Sequence, residues 1–193
     1  MVYILIGVFA FLIAYAYDWL NLKRVGVIKQ LVGLLAACLL LYATVMVCIS
    51  PAKFHLPSFA LPIGGCLLLI SLSLLAYSLF IEIPFRKTYT NREIGNKLTT
   101  TGTYALVRHP GVIWLGLVFL SLALLFPSTT LFISVTTWLV MDIIYVILQE
   151  RLFFPKMFPD YLDYQRRTPF LVPNKQSFSA CLKTIKPRTK ARN

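Results

Sequence analysis

The chain has 193 residues, enough for one domain; 58% are hydrophobic, only 13% are charged, and the formal net charge is +12. So few charges cannot cover that much apolar surface in water, which excludes an ordinary soluble domain and leaves lipid as the solvent. Nucleic acid is not an expected partner either, because the basic residues flank apolar segments, where anionic headgroups lie nearest.

Five spans are expected in chain order, over about 2–20, 31–51, 57–82, 110–126 and 128–149. The first lacks the basic n-region and cleavage site of a signal peptide, so it reads as a retained helix with Asp18 at its interfacial end. The last apolar run is too long for one crossing and breaks at Phe126-Pro127-Ser128. Proline cannot continue the first helix and serine caps the next, so this run predicts a tight hairpin. The expected fold is all-α: a polytopic membrane helix bundle forming one domain over 1–193, with the segments 84–109 and 150–193 on the cytosolic side.

The loop charges test this count. Lys23, Arg24 and Lys29 follow the first span, and Arg86, Lys87, Arg92, Lys97 and Arg108 follow the third. The tail from Arg151 carries ten more, so 18 of the 19 basic residues fall on one side and Lys53 stands alone on the other. The positive-inside rule then places the N-terminus outside and the C-terminus in the cytosol, at the plasma membrane if the source is prokaryotic. Lys183 to Asn193 is polar and basic, and reads as a disordered, lipid-touching tail. Cys38, Cys48, Cys66 and Cys181 show no metal or redox spacing. The first three read as packing residues; for Cys181, proximity to the membrane is the one argument for acylation.

Two segments carry the unusual residues. The first ends in Arg108-His109-Pro110 at the start of the fourth span. Proline favours the first helical turn, whose free N–H groups and partial positive charge suit a carboxylate or phosphate. From the residues alone, Arg108 is equally one more positive-inside residue. The second segment begins with Asp142, a carboxylate inside an apolar run, which must face a cavity or a partner helix. At 100° per residue, Asp142, Tyr145 and Gln149 share a helical face, with Glu150 about 80° away. Tyr161 and Tyr164, three apart among charges, suit the aromatic headgroup belt.

GNKLTTTGTYALVRHPG, then a hairpin, then QERLFFPKMFPDYLDYQRRTPFLVPN resembles the isoprenylcysteine carboxyl methyltransferase-like family, which is related to the phospholipid methyltransferases. The resemblance covers roughly Gly95 to Pro173. It implies that S-adenosylmethionine binds at the cytosolic ends of the last helices. Leu98, Thr99 and Tyr104 would line the cofactor pocket, and Arg108, His109 and Pro110 would meet its methionine part. Gln149 and Glu150 stand where the family has two glutamates, and Tyr145 and Val146 stand where the prenylcysteine enzymes carry an arginine.

The function so implied is a membrane methyltransferase acting on a lipophilic small-molecule or prenylated substrate, by carboxyl O-methylation of an isoprenylcysteine-like or lipid acceptor. Arg108 and Glu150 are expected to orient the reacting groups, and Asp142 and Tyr145 to meet the substrate. A sterol-type, NADPH-dependent membrane reductase and a non-catalytic lipid-binding protein are the alternatives.

Overall fold

The structure, a computed structural model, describes residues 1–23, 26–50, 54–83 and 98–185. Arg24, Lys53, the charged segment 84–97 (Arg86, Lys87, Arg92, Gly95 and Lys97 included) and the tail from Lys186 lie outside the described residues.

Five long apolar helices dominate: α1 (Val2–Leu22), α2 (Gly26–Cys48), α3 (Ala60–Ala76), α5 (Pro110–Leu125) and α6 (Thr129–Leu148). Both α3 and α6 run on as wider π-helical turns, Tyr77–Glu82 and Gln149–Phe153. Short helices α4 (Thr103–Leu106), α7 (Phe154–Met157) and α8 (Tyr161–Arg167), with the amphipathic α9 (Lys175–Ile185), complete the described chain. The all-α polytopic expectation is therefore met.

Lipid is required to account for the surface. In the four longest apolar helices, 17 to 28% of the most hydrophobic window is buried, and Leu5, Phe9, Leu31, Leu61, Leu69 and Ile70 stand outward at 50% exposure or more. A water-soluble monomer does not display apolar faces of this extent. Within the spans, hydroxyls turn back on their own helices: Ser121 donates to the Leu117 carbonyl and Ser134 to that of Thr130, so neither meets hydrocarbon unpaired. This is a multi-pass membrane protein.

The core lies where α1, α2, α5 and α6 meet, around Phe11, Ala43, Val47, Phe119, Leu131, Val135 and Trp138. Gly7 makes it possible: a Cβ there would stand 2.1 Å from Trp138 Nε1, so the indole fills the notch that glycine leaves. The same indole N–H donates to the Ile4 carbonyl at 3.1 Å. The Pro127-Ser128 turn forms the predicted hairpin, with Ser128 Oγ accepting the Leu131 N–H at 3.1 Å as an N-cap.

Two boundaries differ from the sequence expectation. α2 begins at Gly26 rather than near residue 31, which puts Lys29 inside a helix, where its ammonium donates to Asn21 Oδ1 at 2.9 Å. Pairing the cation across the α1–α2 turn removes the need for a solvated loop there. Lys183 to Ile185 are also helical, as the last residues of α9, because that helix packs on α4. Cys48 is buried in the core, whereas Cys38 and Cys66 are exposed on the outer faces of their spans.

α2 packs on α1 and α3 on α5; among the described residues, α2 and α3 share no extended interface. That gap matters for the site below.

Gly7→Val should drive α1 off α6 and lower the stability of the detergent-purified protein by about 1–3 kcal/mol. Gly65→Ala, where a Cβ meets nothing within 4 Å, should leave it close to unchanged. Thermal unfolding of the two variants side by side checks this.

Candidate active site

Proline at 110 forces His109 out of helical backbone (φ −124°, ψ 67°), so α5 starts abruptly and Val107 to His109 approach it as an extended strap. Backbone pairing fixes the strap, because the Arg108 N–H donates to the Pro169 carbonyl at 2.9 Å.

The Arg108 side chain forms a two-pronged pair with Glu150: Nε to Oε1 at 2.6 Å and Nη2 to Oε2 at 2.9 Å. Its Nη1 donates to the carbonyls of Gln165 (3.0 Å) and Thr168 (2.6 Å). Four of the five guanidinium N–H groups are thus used inside the protein. Glu150 is equally engaged. His109 Nε2 lies 3.0 Å from Oε1, and Gln165 Nε2 donates to Oε2 at 3.1 Å. Both charged side chains are about nine-tenths buried. His109 is clamped between Phe154, stacked at 5.9 Å, and the edge-on ring of Phe170.

A second knot holds the turn before α4. Gly102 sits at φ +63°, and a Cβ there would fall 1.7 Å from Glu82 Oε1, so glycine is required on both counts. The Glu82 carboxylate accepts the Thr103 N–H at 2.8 Å and the Thr103 hydroxyl. Ser78 Oγ lies 2.9 Å from Thr103 Oγ1 and accepts the Trp114 indole N–H at 2.9 Å. Thr184 Oγ1 of α9 accepts the Gly102 N–H at 2.9 Å.

Arg108, His109 and Phe154 of the first knot help to wall a cavity of about 710 Å³, within the usual range for small-molecule sites. Leu98, Thr99, Tyr104, Arg108, His109 and Pro110 all line it. Asp142, Tyr145 and Gln149 enter from α6 and the turn beyond it, on the shared face that their spacing predicts. Glu150 is not in the lining; it stands behind Arg108 and His109. Gln149 donates to Asp18 Oδ2 at 2.7 Å, which ties the end of α6 to α1. The lining also has an apolar part, to which Ala37, Leu40 and Leu41 of α2 and Leu72, Leu75 and Leu79 of α3 contribute.

Tyr161 and Tyr164 are not belt residues. At 1% and 6% exposure they are core side chains of the site, because α8 folds back under the strap. Tyr164 Oη donates to the Tyr104 carbonyl at 2.6 Å. Tyr161 also lines the cavity; its buried hydroxyl makes no hydrogen bond of standard geometry among the described residues and has the Glu150 carboxylate as its polar neighbour. Burial, then the nearby Glu150 carboxylate, push this phenol above its ordinary range, so it stays a neutral donor. Cys181 is packed inward at 6% exposure, which removes the case for acylation.

Sequence reasoning missed Asp18 as a partner of Gln149, and also Glu82, Thr103, Trp114 and Gln165. Glu82 had one available signal: it is an acid at the end of a span in a chain with only 7 acidic residues. Among the described residues, no group of three His, Cys, Asp or Glu side chains is placed to hold a metal.

The family model for phospholipid methyltransferases matches residues 61–161, which takes in α3, the strap, the α5–α6 hairpin, the π turn with Glu150, and the first residue of α8. No curated protein and no solved structure matches the chain. With just over half of its length matched, and the matched half holding the strap, the ion pair and most of the cavity wall, the chain belongs to the phospholipid methyltransferase family.

Proposed function

We propose that this protein is an S-adenosylmethionine-dependent methyltransferase whose acceptor is an amine-bearing membrane lipid. One observation carries the reading: a single cavity is lined by polar side chains of the strap and α8 and by apolar side chains of α2 and α3, and in our reading these are its two ends, the second giving onto lipid. A water-soluble donor and a lipid acceptor need those two ends to meet. In this reading the polar end faces the cytosol, which agrees with the basic residues gathered there.

The residues present fit the cofactor. The Tyr161 hydroxyl and the N-terminal turn of α5 offer donors to a carboxylate, with His109 beside them. Leu98, Thr99 and Tyr104 border the space for the adenosine part. Bound there, S-adenosylmethionine supplies a methyl group already activated by its sulfonium. Arg108 and Glu150 then orient the reacting groups by positioning: locked to each other, they hold His109 and the strap still.

Asp142 favours an amine over a carboxyl acceptor. It is 8% exposed, lines the cavity and has no hydrogen bond to another described side chain, so its carboxylate suits a cationic headgroup and can take its proton. A carboxylate acceptor would set two like charges together in a poorly hydrated site. Lys29 lines the same cavity and has donors left for a lipid phosphate.

Ligand-induced thermal stabilisation tests the cofactor. S-adenosylmethionine and its demethylated product should raise the melting temperature, and NADPH should not; stabilisation by NADPH alone overturns the reading. His109→Ala should abolish the shift. Tyr161→Phe, which keeps the ring and loses the hydroxyl, should weaken cofactor affinity by about 10–150-fold, one hydrogen bond to a charged group. For the acceptor, isotope-labelled methyl transfer to amine phospholipids is compared with transfer to a prenylcysteine. Asp142→Asn should cut transfer to the amine by at least about tenfold while leaving cofactor affinity unchanged; preferential labelling of the prenylcysteine contradicts an amine acceptor.

A further inference from the structure

The segment α9 lies outside the matched family region and takes no part in the cavity wall. Three of its apolar residues, Phe178, Leu182 and Ile185, are 45 to 56% exposed. At 100° per residue they occupy an arc of about 60° on one side of the helix. Ser177, Cys181 and Thr184 cluster next to that arc: the first two are buried, and the third accepts the Gly102 N–H. Lys175 and Lys183 fall on the other flank. The helix therefore has three distinct faces, one for the protein, one apolar and one cationic.

Its place in the fold says what the apolar face meets. Through Thr184 and Gly102 it is joined to Thr103, and Thr103 is bonded to Glu82, the last residue of the π turn that ends the α3 span. Cys181 is within electrostatic reach of that same Glu82. Ile81, one residue earlier, is an apolar side chain 69% exposed. The helix is thus tied, through Gly102 and Thr103, to the polar end of a transmembrane span, the level at which that span leaves the hydrocarbon. The sequence after it adds Lys186, Arg188, Lys190 and Arg192.

We propose that α9 is an in-plane membrane helix: Phe178, Leu182 and Ile185 insert into the leaflet at the polar end of the bundle, and the flanking cations bind its anionic headgroups. Membrane-surface helices combine an apolar stripe, a basic flank and low overall hydrophobicity, and their binding rises with anionic lipid. Docking on lipid holds Thr184 against Gly102, and so fixes the turn that leads into the strap. That last consequence rests on the cofactor site proposed above; the membrane contact does not.

Hydrogen exchange on the full-length protein in nanodiscs tests this directly, and needs neither cofactor nor activity. The wild type is compared in phosphatidylcholine discs and in discs that also contain phosphatidylglycerol. Amides of 175–185 should exchange about tenfold more slowly in the anionic discs. Lys175→Gln with Lys183→Gln should remove most of that difference. Phe178→Ser with Leu182→Ser and Ile185→Ser should restore fast exchange in both discs while α5 and α6 stay protected. Equal exchange in the two lipids, or protection that survives the serine variant, would show that α4 alone holds α9 and would overturn the proposal. If only the methyltransferase reading fails, the lipid dependence of exchange remains.

Discussion

The site depends on one buried ion pair. Arg108 and Glu150 are 42 residues apart and separated by a transmembrane hairpin. Neither charge is tolerable in a nearly dry setting without the other, and each also needs its remaining donors or acceptors filled. Carbonyls of Gln165 and Thr168 fill those of the arginine; His109 and the Gln165 amide fill those of the glutamate. Satisfying one pair therefore fixes the strap before α5, the π turn after α6 and the end of α8 at once. The aromatic rings around His109 finish the enclosure.

With that end of the bundle fixed, the rest of the cavity follows from how apolar helices pack without water. Van der Waals fit, not hydrophobic burial, holds spans together in lipid, and the close fits here are α1 with α2 and α6, and α3 with α5. Among the described residues, nothing comparable joins α2 to α3. Side chains of both helices line the cavity, so the weakly packed seam is where we propose that a lipid enters. Asp142 and Tyr145 bring polar groups of the α6 span into the same lining.

Much of this was legible in the sequence, for physical reasons. Pro127-Ser128 and His109-Pro110 are local backbone constraints, and they place the hairpin and the start of α5. Helical spacing put Asp142, Tyr145 and Gln149 on one face. What stayed hidden was long-range or non-α. The π turns shift the register beyond Leu148, so a wheel drawn at 100° per residue does not show Glu150 turning behind the strap toward Arg108. The Glu82–Thr103 knot and the Asp18–Gln149 bond join distant segments, and no spacing announces them. Tyr161 and Tyr164 look the same in a sequence whether they face headgroups or a site; only the return of α8 beneath the strap buries them.

A double-mutant cycle on Arg108 and Glu150 tests the central claim most directly, with unfolding free energy and S-adenosylmethionine affinity read on the same purified variants. Arg108→Met and Glu150→Leu should each cost about 3–5 kcal/mol, because each strands the other charge in a buried place. Together they should cost far less than the sum, with cofactor affinity still poor because the strap has lost its anchor. Additive losses, or single variants that keep wild-type stability and affinity, would contradict the account.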